Sequence, residues 1–496
     1  LNRNQQSLVH IRLFPSGAHC GSHERARSVL GPTCSAFACI LALALIPDMA
    51  RANPQTVKWE PFGPVTLYQT TAAPSRVVLF LSGLAGWNSG VVKTARDLAA
   101  QGALVVGIDT PRYLWRLSAL KTACIDPGAD LDRLSRGLQR HLGFPRYIRP
   151  VIMGYSGGAW LSYAALALAP PGTFAGAVSM GFCPELTLTR PFCLGEELVE
   201  TSPADDPRPR LKPVGHLQEP WIVLQGALDS TCDVKAVEAF VRGVENGEIV
   251  VLPKVGAGFS RPEHWMPQLT SALALHIWNE RKDRLPIADE VKDLPMIVLP
   301  AVRNTRSTLA LLVSGEDGWT GINRELGREL AAAGIPVLGL DLLNYSWTPR
   351  SPEAMAADME RVLSIYASRW RKDQVVIIGY GSGADLLPFF VNRFSSPMSQ
   401  RTVLLVLVNP GQEAVFEASS AAGDAQPPHS RSFPVLPEAE KLSGVRVLCI
   451  HEDPDEDNLC SQLKAEFAWS ARLNCTRFSN TDCRAIARAI LDELRE

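Results

Sequence analysis

The chain has 496 residues and a net charge of −2, with 20% of its residues charged and 46% hydrophobic. That length exceeds one ordinary domain and suits two, each able to bury a full core. The near-neutral balance excludes the basic field that nucleic acid or a bare anionic membrane would require.

The first thirty or so residues are rich in His, Arg and Ser and lack the apolar periodicity of a folded element. Behind them Arg25 and Arg27 precede an apolar run from Ala36 to Ile46, followed by Ala50-Arg51-Ala52. This is the pattern of a signal peptide, with residues 1–52 as leader, cleavage before Asn53 and export to the periplasm. The run is far shorter than the ~20 apolar residues that span a bilayer, so no transmembrane anchor is expected. Eight cysteines lie beyond the leader: Cys124, Cys183, Cys193, Cys232, Cys449, Cys460, Cys475 and Cys483. In an oxidising compartment they suit disulfides, and Cys183 with Cys193, bracketing a short Pro-containing loop, are the expected local pair. No C-x-x-C spacing suggests a metal site, and no organic cofactor is implied.

An internal repeat sets the architecture. Val77 to Trp115 reads VVLFLSGLAGWNSGVVKTARDLAAQGALVVGIDTPRYLW, and Leu309 to Trp347 reads LALLVSGEDGWTGINRELGRELAAAGIPVLGLDLLNYSW. Each is an apolar strand, an S-G-x-x-G-W turn, an amphipathic helix, a second apolar strand and an Asp. Ser82 answers to Ser314 and Asp109 to Asp341 at one constant offset, which reads as duplication. Further on, RPVIMGYSGGAWLSYAAL answers to QVVIIGYGSGADLLPFF. Strands without polar alternation, each followed by a helical pattern, predict two tandem α/β-hydrolase-like domains with mainly parallel sheets, at 53–285 and 295–496. The charged, Pro-containing stretch from Asn279 to Pro295 is the expected boundary, and Gln412 to Glu438 reads as a long surface loop.

Gly154-Tyr155-Ser156-Gly157-Gly158 satisfies G-x-S-x-G between a strand and a helix, the setting that exposes a nucleophilic serine on a sharp turn. The backbone N–H of Gly157, with a second donor near Leu84, would face a developing oxyanion. Chain order then requires an acid and a histidine. Asp229 is preferred over Asp233 as the acid because it lies nearer the end of the strand WIVLQG, and the loop residue His264 is preferred over His276, which falls in a helical pattern. The second half reads Gly379-Tyr380-Gly381-Ser382-Gly383, a degenerate elbow with glycine at the nucleophile position. Successive side chains of a tight turn point in different directions, so Ser382 cannot simply replace a serine at 381. His429 and His451 are not where the fold would put a base, and no histidine follows the carboxylates of Glu452 to Asp457.

These paired motifs resemble the VirJ/AcvB family of bacterial virulence proteins from about Gln55 onward, in the family's two-half layout. The resemblance implies a periplasmic protein linked to hydrolysis of aminoacylated phosphatidylglycerol, chiefly the lysyl form, and to virulence and type IV secretion. It implies as partners an aminoacylated phospholipid headgroup or other ester substrate, and secretion-system proteins. Against the family pattern, Gly381 stands at a serine position and Ala257 at a histidine position, while a G-G-H-H-F-like stretch is absent near Thr476 to Asp482. A noncatalytic binding module on the same fold is the competing expectation.

Overall fold

The computed structural model describes residues 54–71, 73–119, 123–185, 188, 190–193, 198–200, 209–278, 286–303, 306–416, 432–442, 444–451, 459–463, 468–472 and 480–494. The expected leader and its cleavage site, His429, Cys475 and the carboxylates at 452–457 lie outside the described residues.

The first half opens with β1 (Gln55–Trp59), β2 (Gly63–Tyr68), β3 (Arg76–Leu81), α1 (Ser89–Ala99), β4 (Ala103–Ile108), α2 (Thr110–Ala119) and α3 (Pro127–His141). It continues with β5 (Val151–Tyr155), α4 (Gly157–Leu168), β6 (Gly176–Met180), the short β7 (Val199–Glu200) and β8 (Arg210–Leu211), β9 (His216–Gly226), α5 (Val234–Arg242), β10 (Glu245–Leu252) and α6 (Met266–Ala272). Its main sheet runs β1-β2-β4-β3-β5-β6-β9-β10. The β1·β2 and β2·β4 pairs are antiparallel and the remaining pairs parallel.

The second half holds β11 (Met296–Leu299), β12 (Thr308–Val313), α7 (Gly321–Ala332), β13 (Val337–Leu340), α8 (Leu342–Tyr345), α9 (Pro352–Trp370), β14 (Gln374–Tyr380) and α10 (Ser382–Val391). It closes with α11 (Ser396–Arg401), β15 (Thr402–Val408), β16 (Glu413–Val415), β17 (Ser432–Pro434), α12 (Val435–Ala439), β18 (Arg446–His451), α13 (Leu459–Gln462), β19 (Ala468–Arg472) and α14 (Asn480–Glu493). Its sheet runs β11-β13-β12-β14-β15-β18-β19, the order of the first sheet without the extra edge strand β1. The central strands are buried on both faces, β4 and β12 along their whole length, which is why they read as apolar runs, while the edge strands β1 and β10 are largely exposed.

The S-G-x-x-G-W repeat has a mechanical explanation. Ser82 Oγ accepts from Thr110 N at 3.0 Å, and Ser314 Oγ accepts from Leu342 N at 2.9 Å, so each serine staples its strand end to the start of the helix that follows the neighbouring strand. Asp109 and Asp341 accept from Arg112 N at 3.0 Å and Asn344 N at 3.3 Å in the turns that follow. The glycine before each Trp, Gly86 at φ 78° and Gly318 at φ 76°, takes the left-handed turn that swings the indole back over the sheet. There the Trp87 ring fills the space of a side chain at Gly107, and Trp319 that at Gly339. A Cβ would come within 2.2 Å of the first ring and 2.3 Å of the second.

Two expectations are corrected. The Cys183–Cys193 pair does not form: among the described residues the disulfides are Cys124–Cys193, Cys183–Cys232 and Cys449–Cys460. Residues 191–193 run beside Ile125, with Ile125 N donating to Pro191 O and Cys193 N to Ile125 O, which carries Cys193 to Cys124. Phe182 N donates to Gln225 Oε1 at 3.0 Å, which holds Cys183 near the turn after β9 that contains Cys232. The segment from Gln412 to Glu438 is not a bare loop at its ends. β16 pairs with β17 and α12 follows, because Phe416 and Phe433 pack at ring distances of 5.4 and 6.1 Å on Phe389 and Val435 is fully buried.

The two halves touch through charged and aromatic groups. Arg136 of α3 donates to Glu316 O at 3.2 Å and to Asp317 Oδ1 at 3.1 Å, and Arg149 donates to Trp319 O at 2.9 Å. Trp347 Nε1 donates to Phe144 O at 2.8 Å while its ring packs on Tyr147. Of the expected boundary segment, Ala288, Val291 and Leu294 are buried in the core of the second half.

Overpacking at a rigid aromatic contact costs about 1–3 kcal/mol. Gly107→Ala and Gly339→Ala should each lower the urea midpoint by that much stability, whereas Gly215→Ala, which meets no atom within 4 Å and does not hold a positive φ, should change it little. Equal losses at all three sites would disprove the ring-on-glycine lock.

Candidate active site

The first elbow is built by backbone crowding. A Cβ at Gly154 would lie 1.9 Å from Gly158 O, and one at Gly158 would lie 2.5 Å from Leu81 O, so glycine at both ends lets α4 start directly against the strand ends. Ser156 between them holds φ 50° and ψ −113°, a conformation that L residues rarely adopt. Its backbone N–H is tied to Met180 O at 2.8 Å. The residue is exposed, and among the described residues its hydroxyl makes no hydrogen bond. Leu84, itself 50% exposed, lies over Gly157, with its Cγ 2.5 Å from where a Gly157 Cβ would be. The two expected oxyanion residues are therefore neighbours beside Ser156.

Asp229 follows β9 and is held tightly. Its Oδ1 accepts from Thr231 N at 2.8 Å and Cys232 N at 3.2 Å, and its Oδ2 accepts from Gln225 Nε2 at 3.1 Å. Burial raises the Tyr155 phenol pKa, and the Asp229 charge raises it further, so this carboxylate acts on the residue next to Ser156. Asp233 instead caps α5 through Ala236 N at 3.1 Å. His276 pairs with Glu248 at 3.2 Å.

His264 ends a single 3-10 turn, Pro262–His264, and is half-buried; its Nδ1 is buried without a hydrogen-bond partner among the described residues. No hydrogen bond joins it to Asp229 or Ser156. The segment that meets the elbow is 256–259. Tyr155 Oη donates to Ala257 O at 3.1 Å, and the Phe259 ring stands 5.9 Å from the Tyr155 ring. The structure thus brings Ser156, Gly157, Leu84 and Asp229 to one sheet edge, with Ala257 rather than an imidazole against Tyr155.

The second elbow repeats the turn without the hydroxyl. Gly381 holds φ 54° and ψ −128°, its N–H bonds to Val408 O at 2.9 Å, and a Cβ there would meet nothing within 4 Å. Ser382 is the first residue of α10, and its Oγ is buried without a partner among the described residues. The carboxylates beside this elbow are absent from the sequence reading. Glu316 occupies the repeat position of Leu84, and burial, then Asp317, raises its pKa. Asp385 in the first turn of α10 is 6% exposed and accepts from Gly411 N at 2.5 Å. Burial pushes it up to about 7, with Glu316 adding to the rise. The repeat alignment signals position 316; nothing in the sequence signals that Asp385 is buried.

The family profile of bacterial virulence protein VirJ matches residues 75–175 and 307–496, covering both elbows. The chain belongs to the VirJ family. No curated protein matches it. Among solved structures, a dienelactone hydrolase from Klebsiella pneumoniae is similar at 19% identity and a TM-score of 0.33, covering 46% of this chain and 98% of that one. Est1E from Butyrivibrio proteoclasticus is similar at 11% identity and a TM-score of 0.31, covering 46% and 100%. A lidless serine hydrolase from Xanthomonas campestris is similar at 20% identity and a TM-score of 0.28, covering 48% and 97%.

The raised Asp385 pKa has a consequence for stability. Between the ordinary carboxylate value of about 4 and about 7, the folded chain keeps a proton that the unfolded chain releases. Stability therefore falls as pH rises through that window, and the penalty is complete above it. Asp385→Asn keeps an acceptor for Gly411 and removes the penalty. Its gain over wild type in urea denaturation should be on the order of a few kcal/mol larger at about pH 8 than at about pH 4. A gain independent of pH would show that Asp385 ionises normally.

Proposed function

We propose that this VirJ-family chain is an exported, periplasmic serine hydrolase of acyl esters that works from the first half, residues 53–285, with 295–496 as the second half. The observation that carries the reading is Ser156: a non-glycine residue at φ 50°, hydroxyl exposed and unpaired, on a glycine-flanked turn at the start of a 12-residue helix. Such a backbone costs on the order of 1 kcal/mol or more, and at a functional turn it aims a side chain at substrate. Ser156 attacks the ester carbonyl as its proton passes to His264, the Gly157 and Leu84 amides stabilise the oxyanion, the ester C–O bond breaks with His264 returning the proton to the departing alcohol, and water hydrolyses the acyl-serine. Asp229 is the acid. His264 is the base, and it must move to reach Ser156, because its imidazole makes no hydrogen bond to Ser156 or Asp229. By family resemblance the substrate is an aminoacyl ester of a phospholipid headgroup, chiefly lysyl-phosphatidylglycerol, with a link to virulence and type IV secretion. The three disulfides suit an oxidising compartment, and among the described residues no helix is long and apolar enough to cross a membrane.

A second reading, a noncatalytic module that binds a headgroup or a secretion partner, is favoured by two observations: Ala257 against Tyr155 and Gly381 at the second elbow.

Labelling with a fluorophosphonate probe, followed by peptide mapping, separates the two. The hydrolase reading expects Ser156 to be labelled. Ser156→Ala should abolish labelling and ester hydrolysis with the fold intact, since removing the nucleophile of a catalytic triad costs on the order of 10⁶ in rate. His264→Ala should be strongly impaired and Ser382→Ala nearly unchanged. Activity lost in Ser382→Ala but kept in Ser156→Ala reverses the roles of the halves. A wild type that neither labels nor hydrolyses any ester supports the binding module.

A further inference from the structure

The walls of the two elbows differ in a way that bears on the ester taken by Ser156. The loop after β3 lies directly on the nucleophile: a Cβ at Gly83 would come 3.4 Å from Ser156 Cβ and 3.2 Å from the Tyr155 ring. Leu84, the next residue, lies over Gly157 and is 50% exposed, so its side chain is an open wall beside Ser156. On the side of the acid, Leu228 is 66% exposed. Its N–H donates to Val255 O at 2.9 Å, which sets it beside the segment whose Ala257 O accepts from Tyr155 Oη.

The second half holds carboxylates where the first holds apolar groups. The repeat that pairs Ser82 with Ser314 pairs Leu84 with the exposed Glu316. The elbows, aligned from Gly154 on Gly379, pair Trp160 with Asp385. Glu316 lies close enough to Asp385 for its charge to raise the Asp385 pKa, so the two share one side of the second elbow. At the first elbow both charges are replaced, and Trp160 is buried in the core of its own half. Asp229, the carboxylate that follows β9, has both oxygens engaged by Thr231 N, Cys232 N and Gln225 Nε2. A cationic group laid against Leu84 and Leu228 would lose water to side chains that offer no acceptor, whereas an apolar group would gain from the same burial.

We infer that Leu84 sets the acyl specificity of Ser156, selecting esters whose acyl chain is apolar over esters whose acyl chain ends in a positive charge. The inference rests on the hydrolase reading of Ser156 and narrows it: among aminoacyl esters, one with an apolar side chain is taken in preference to a lysyl ester. Leu84 acts here through its side chain, and its backbone amide keeps its place at the oxyanion.

Hydrolysis by the full chain of two p-nitrophenyl esters of equal chain length, the heptanoate and the 6-aminohexanoate, tests this, with Ser156→Ala giving the background rate. Wild type should show a kcat/KM for the heptanoate at least about tenfold above that for the amino ester. Leu84→Glu installs the residue of the second elbow on an exposed side chain. It should keep the melting temperature and move the ratio at least about tenfold toward the amino ester. Leu84→Lys should move the ratio the other way, and it serves if Leu84→Glu does not fold. Opposite shifts from two charged substitutions at one site mark recognition of charge, which damage to the fold would not produce. Equal turnover of the two esters by wild type, or a ratio that the variants move the same way or not at all, overturns the inference and leaves the hydrolase reading standing. A wild type that cleaves neither ester also overturns it, and fluorophosphonate labelling of Ser156 then decides whether the hydrolase reading falls as well.

Discussion

The structure depends on one steric constraint: at each elbow a helix begins so close to the strand ends that no side chain fits on the backbone flanking the turn. Gly154 and Gly158 meet this demand in the first half, and Gly379 and Gly383 meet it in the second, where a Cβ at Gly383 would lie 2.3 Å from Ser314 O. The contact forces the residue between into positive φ, and that residue is Ser156 in one half and Gly381 in the other. A serine there accepts backbone strain to present a hydroxyl; a glycine relieves the strain and presents nothing. The two halves thus share a frame and differ in chemistry.

Around the elbows, the repeated polar residues serve the frame. Ser82, Ser314, Asp109 and Asp341 hold turns, while the Trp87 and Trp319 rings close over glycines on the neighbouring strands. What differs is the loop facing each elbow. Leu84 gives the first an apolar wall, whereas the second has the exposed Glu316 and the buried Asp385, whose charge desolvation suppresses.

Much of this was legible in the sequence because it is local. Strand, turn, helix and elbow recur with fixed spacing, and the parallel sheets follow from runs such as ALVVGI and LALLV that stay apolar at every position. The strand orders of the two halves match as the repeat suggests. Features set by distant pairing were not legible. Cys193 bonds to Cys124, 69 residues away, because residues 191–193 lie beside Ile125, and no spacing rule carries that information. Chain order pointed to His264 as a base, but the order of residues does not fix contact, and the segment against Tyr155 is 256–259. The burial of Asp385 was hidden for the same reason, since it depends on Gly411 closing over it from another strand end.

The grip between the halves bears on how such a chain can be divided. Arg136, whose side chain is 7% exposed, reaches across to the carbonyl of Glu316 and the carboxylate of Asp317, and Trp347 gives its indole N–H to Phe144. These are groups that the second half would otherwise offer to water: a backbone carbonyl, a carboxylate and a large aromatic ring. A second half cut free of the first would lose a guanidinium from the loop beside its own elbow and expose a tryptophan face. The first half is thus part of the second one's wall, and independent inheritance of either piece would require resurfacing at Trp347 and retuning at Glu316.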